Sequence, residues 1–175
     1  MKRLITSVVS AAVLSVVVYI GAIHALPNII MNKVMAKVGS GGTVNTFMHQ
    51  PLPTDKARSV VRPSPDLAYS ICIIDLSKGP VYVQMPLTKP YTSVALYASN
   101  TDNYFVRNDR DSAGKSLDVI IVGPDVKKPE TLPAGAEVVA APTIKGLVLV
   151  RRVVESAAAF EVIDATRKLS VCAPL

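Results

Sequence analysis

His24, His49, Cys72 and Cys172 are the only imidazoles and thiols in the chain. His24 falls at the end of a long apolar segment. His49 stands alone in a loop, with no second His or Cys at ligand spacing, which argues against zinc. A Ser-His-Asp arrangement would have to use His49, and no Gly-x-Ser-x-Gly occurs to present a nucleophile. Asp109, Asp111 and Gly114 imitate the start of a calcium loop. Position five is Ala113 and position twelve is Ile120, so the ligand set fails. Asp, Asn and Gly are also ordinary hairpin residues, and the stretch reads as a turn. No catalytic residue, metal set or cofactor site is assigned, and no cofactor is expected.

Arg62 and Asp66 flank two prolines in Arg62-Pro63-Ser64-Pro65-Asp66. Either they form an ion pair that locks a corner, or Arg62 binds a ligand. Tyr69 and Asp75 share one face of a strand with Ile71 and Ile73, so Asp75 marks the strand end. With Asp102 from a later turn, Arg62, Asp66 and Tyr69 make the candidate set for a polar pocket. Cys72 sits mid-strand in an apolar run, where a free thiol serves as a small hydrophobe. Outside the cytoplasm Cys72 and Cys172 could equally be bonded, and the sequence leaves both readings open.

The elements that must position these residues begin with an anchor. Leu4 to Leu26 is nearly unbroken apolar sequence, about 35 Å long as a helix and enough for a hydrocarbon core of about 30 Å. Lys2 and Arg3 precede it and predict an N-terminus held in the cytoplasm. A cleaved signal peptide is the competing reading. Its apolar region is usually shorter, and a site after Ala25 would place Ile23 where a small residue is preferred. The expectation is an uncleaved signal-anchor, embedded in lipid through Leu4 to Leu26.

Pro27 suits the first turn of a new or continuing helix. Ile29, Ile30, Val34 and Val38 recur at helical spacing, with Lys33 and Lys37 between them. That amphipathic helix either lies on the membrane or packs its apolar face on the domain. Gly39-Ser40-Gly41-Gly42 reads as a linker, since no strand precedes it and no Gly-Lys-Ser/Thr follows. The division is residues 1–27 as cytoplasmic tip and anchor, 28–50 as juxtamembrane helix and linker, and 51–175 as the domain.

Beyond a loop at 43–59, the period changes to that of strands. Candidates lie at 68–76, 81–85, 93–98, 104–107, 117–122, 137–141 and 146–153, separated by Gly, Pro, Asn and Asp. Short strands with such punctuation predict a mainly β fold, an antiparallel sandwich or jelly roll. Ser156 as N-cap and an Asp164–Lys168 pair predict a helix near the end. Residues 170–175 are a short final strand or tail. The net charge is +6, with no Lys/Arg run longer than a pair. A nucleic-acid protein would concentrate that charge on one element, so nucleic acid is excluded as a partner.

The order Val61-Arg62-Pro63-Ser64-Pro65-Asp66, Tyr69, Asp75-Leu76, Gly79-Pro80 and Pro86 resembles the bacterial family labelled domain of unknown function 1254. Leu96-Tyr97, Thr101-Asp102-Asn103-Tyr104-Phe105, Asn108-Asp109 and the run from Gly146 to Arg152 extend the resemblance. It implies a β-rich cell-envelope domain. It also implies a separately encoded partner protein carrying the domain of unknown function 1214, to which longer members join this one. The family supplies no catalytic residues. The leading expectation is therefore a single-pass inner-membrane protein with a periplasmic, non-enzymatic β domain that binds a partner. The alternative is a small-ligand-binding or hydrolytic jelly roll built on Arg62, Asp66, Tyr69 and Asp102.

Overall fold

A computed structural model describes residues 2–39, 44–57, 63–112, 114–124, 126, 133 and 135–175. Helix α1, Lys2–Gly39, leads into strands β1 (Phe47–His49), β2 (Leu67–Asp75), β3 (Val81–Pro86), β4 (Thr92–Ala98) and β5 (Asn103–Asn108). Strands β6 (Ser116–Val122), β7 (Glu137–Ala140) and β8 (Lys145–Val153) follow, then helix α2 (Ala157–Arg167) and β9 (Val171–Pro174). The strands form two sheets, one in the order β1-β2-β8-β4-β5 and one in the order β7-β6-β3-β9. All pairs are antiparallel except β6 and β7, which run parallel.

Alternation along the strands builds the core. In β3, Val81, Val83 and Met85 are buried while Tyr82 and Gln84 are half-buried. They meet Cys72 and Ile74 of β2, Val94 and Leu96 of β4, Val119 and Ile121 of β6, and Val148 and Val150 of β8. Cys72 and Cys172 form a disulfide in this core, tying β2 in one sheet to β9 in the other. At one lateral opening, Arg107 of β5 clasps Glu137 of β7 through both carboxylate oxygens, at 2.7 and 3.1 Å.

One segment differs from the sequence expectation, and at another the structure decides between two readings. The loop foreseen at 43–59 contains β1, which pairs with β2 through Phe47↔Cys72 and His49↔Ser70. The anchor and the juxtamembrane helix are one helix, with Pro27 inside it. Proline lacks one donor, and the turn tolerates that loss because the rest of the ladder continues. Thr6, Ser7 and Ser15 donate their hydroxyls to carbonyls four residues back, so these polar groups are satisfied within the apolar stretch. The helix is long and apolar enough to cross a membrane, and its most apolar stretch is not buried against the domain. Its last turns do pack on the domain. The contact face is Met31 and Met35, set against Ile73, Met48 and Tyr97. Ile29 and Ile30 stay exposed, one helical position off the face foreseen.

Candidate functional site

A sandwich interior is normally apolar, because an unpaired charge there is costly. Here one end of the interior is not. Val148, Val150 and Arg152 alternate inward from β8, and Arg152 is 0% exposed. It lies between Ala68 of β2 and Thr92 of β4 in register. Its Nη2 donates to the Pro86 carbonyl at 3.1 Å and to Ser170 Oγ at 3.2 Å. Among the described residues, its Nε and Nη1 have no partner. Burial, with the Arg167 guanidinium beside it, pulls Arg152 down to about 10, so it remains a cation at neutral pH.

Helix α2 closes this end. Ser156 caps it, accepting from the Ala159 amide at 3.1 Å. Ile163 packs with Ala68 and Val154, and Arg167 points inward, 3% exposed. Arg167 is fully engaged: Nε donates to Asp164 at 2.7 Å, Nη1 donates to the Tyr69 carbonyl at 3.0 Å, and its guanidinium lies 5.2 Å from the Phe160 ring centre. Asp164 also pairs with the exposed Lys168. Lys168 and Arg167 together hold the Asp164 carboxyl below its ordinary value.

His49 and Ser70 complete the cluster, with Nδ1 to Oγ at 2.8 Å. Burial, Arg167 and Arg152 push His49 below its ordinary value, so the imidazole is neutral near pH 7. A serine against a histidine invites a hydrolytic reading, but the third group is spent elsewhere: Asp164 is engaged by Arg167 and Lys168. Ser70 is itself 0% exposed. The arrangement is a buried cationic pair beside a neutral histidine. It is suited to holding negative charge, not to presenting a nucleophile.

The residues singled out from the sequence do not converge. Arg62 lies outside the described residues. Asp66 is exposed, and its carbonyl accepts from the Val154 amide at 2.8 Å. The Tyr69 hydroxyl accepts from the Ser64 amide at 3.0 Å, so it buttresses the turn before β2. Asp102 sits in the β4–β5 turn, where Asn100 donates to it at 2.6 Å. Thr92 shares its register row with Ala68 and Arg152, whereas Ala98 shares its row with Ile74 and Gly146. Asp102 is beside Ala98, so it stands about 20 Å along the sheet from the Ala68 row and about 26 Å from Asp66, counting about 3.3 Å per residue. A pocket joining Asp66, Tyr69 and Asp102 is therefore not formed.

Two other places hold polar order. On the outer face of the four-stranded sheet, Tyr82 donates to Asp118 Oδ1 at 2.6 Å, Gln84 at 2.8 Å, and Ser116 to Oδ2 at 2.5 Å. Burial pushes Asp118 up, but the hydrogen bonds from Ser116, Tyr82 and Gln84 outweigh it and hold the carboxyl below its ordinary value. Between α1 and β2 lies a cleft of about 200 Å³, lined by Asn32, Met35, Val44, Ile73, Asp75 and Lys145. Among the described residues, no group of three or more His, Cys, Asp or Glu is placed to hold a metal ion.

The family described as Protein of unknown function (DUF1254) matches residues 44–174. The chain belongs to this family. The DUF1254 region thus takes in every strand and α2, while α1 precedes it. The crystal structure of the VPA0106 protein from Vibrio parahaemolyticus is similar in fold. Its TM-score is 0.68 at 15% identity, over 87% of this chain and 36% of that one. This chain thus spans little more than a third of the Vibrio protein's length. An uncharacterized protein from Burkholderia cenocepacia gives a TM-score of 0.48 at 11% identity, over 79% of this chain and 38% of that one. No curated protein matches.

Proposed function

We propose that this protein is a single-pass envelope protein that holds a DUF1254 domain at the outer surface of the inner membrane, where the domain binds a partner protein. The observation that carries the reading is α1. One helix runs from an exposed apolar stretch into a methionine contact with the β domain, so anchor and domain are continuous. Lys2 and Arg3 before the apolar stretch support a cytoplasmic N-terminus. The Cys72–Cys172 bond supports an oxidising compartment for the domain. The partner part of the reading rests on two supports. The matched region fills only 36% of the Vibrio chain, and the family resemblance implies that longer members join this domain to a second, the domain of unknown function 1214. A protein carrying that second domain is the partner of choice.

The test is fractionation of cells making the full chain with a C-terminal tag. The tagged protein is expected in the membrane fraction at full length, and digested by protease added to spheroplasts. A shorter soluble product would mean cleavage after the apolar segment. Protection from protease would invert the topology. Purification in mild detergent then tests the partner, and recovery of lipid alone would remove the binding role.

A further inference from the structure

We propose that the α2-capped end of the sandwich is a binding site for a small monovalent anion of the halide class, held on Arg152. The charges there do not balance. Arg152 and Arg167 are both buried, and the neighbouring carboxylate, Asp164, is divided between Arg167 and Lys168. His49 adds no negative charge. Arg152 spends Nη2 on two neutral oxygens, and its Nε and Nη1 donors find no partner among the described residues. A buried donor left unmade costs on the order of 1–3 kcal/mol, and more when the group is charged. Such groups are met by ordered water or by a counter-ion. Water would satisfy the donors but leave the cation uncompensated, which is the larger cost in a low-dielectric interior. An anion satisfies both. The site must be small, because Arg152 is fully buried and Ala68 and Thr92 flank it in register on the two neighbouring strands. That restricts the ligand to a single-atom or similarly compact anion and excludes phosphate esters.

The site does not depend on the membrane reading. The experiment uses the full chain in a neutral detergent at constant ionic strength, with sodium gluconate replaced stepwise by sodium chloride. Gluconate is too large for the site. A saturable rise in Tm is expected, on the order of 5 °C at chloride well above its dissociation constant. Arg152→Gln, where it folds, should show no such rise. If that variant does not fold, crystals of the unaltered protein grown in sodium bromide decide the matter, with an anomalous peak within hydrogen-bonding distance of Arg152 Nε or Nη1 expected. Equal Tm values in gluconate and chloride, or a bromide-free site in those crystals, would overturn the proposal.

Discussion

His49 gives the domain a pH dependence that can be assigned to one side chain. Its imidazole is held below its ordinary value of 6.5 by burial and by the cations Arg167 and Arg152. The folded state therefore resists a proton that the unfolded chain accepts. The stabilisation is complete above about pH 6.5 and is lost as pH falls from there through the folded value. Asp164, Asp118 and Asp75 are also held below their ordinary value, but the stability they add is lost only below about pH 4. Urea unfolding at pH 7.5 and 5.5 should show a lower midpoint at 5.5, and His49→Gln should abolish most of that difference. An unchanged difference in the variant would place the sensitivity elsewhere. The sequence made His49 look solitary, because its partners Ser70, Arg152 and Arg167 come from three distant segments. One signal was legible: period-two alternation puts Arg152 on the same face as Val148 and Val150, and a charge on a core face asks for an explanation. Arg62, Asp66 and Asp102 were drawn from turns, where Asp and Pro serve geometry as often as chemistry, and Tyr69 from the strand that follows one of them.

Among the elements, β8 tolerates least. Gly146 opposes Ile74 on one side and Ala98 on the other. A methyl group added there would stand 2.5 Å from the Tyr97 carbonyl oxygen, which belongs to the sheet backbone and has no room to yield. Gly146→Ala should cost about 2 kcal/mol or more, seen as a lower urea midpoint with an unchanged slope. A change within 0.5 kcal/mol would show that the backbone moves freely at that corner. The longer strands were legible because each alternates or runs apolar between Gly and Pro breaks. Strand β1 was not: three residues cannot show a period, and Phe47–His49 becomes a strand only because β2 offers an edge. Helix α1 was legible in kind but not in extent. Proline at position 27 resembles a helix start, and Met31 and Met35, which make the contact, drew less notice than the branched residues around them.

At the scale of the molecule, two sheets are held by a core, a disulfide and one lateral clasp. The disulfide closes a segment of sequence separation 100, and such loops contribute about 4.7 kcal/mol on the chain-entropy account. Replacing Cys72 and Cys172 together by Ala should lower stability by about that amount, measured by chemical unfolding of the full chain in detergent. A loss below 1 kcal/mol would show that the core alone sets the two sheets. The strand order β1-β2-β8-β4-β5 carries a further consequence, one of timing. Beyond the short β1, the partner of β2 is not β3 or β4 but β8, and β4 reaches β2 only through it. A chain that crosses a membrane from its N-terminus delivers β2, β4 and β5 long before β8 emerges. Until then the five-stranded sheet has no centre, and the apolar faces of β2 and β4 have nothing to cover them. On the topology proposed above, the domain is exported as an unfolded, strand-rich chain tethered at one end, and its protection in that interval has to come from other molecules.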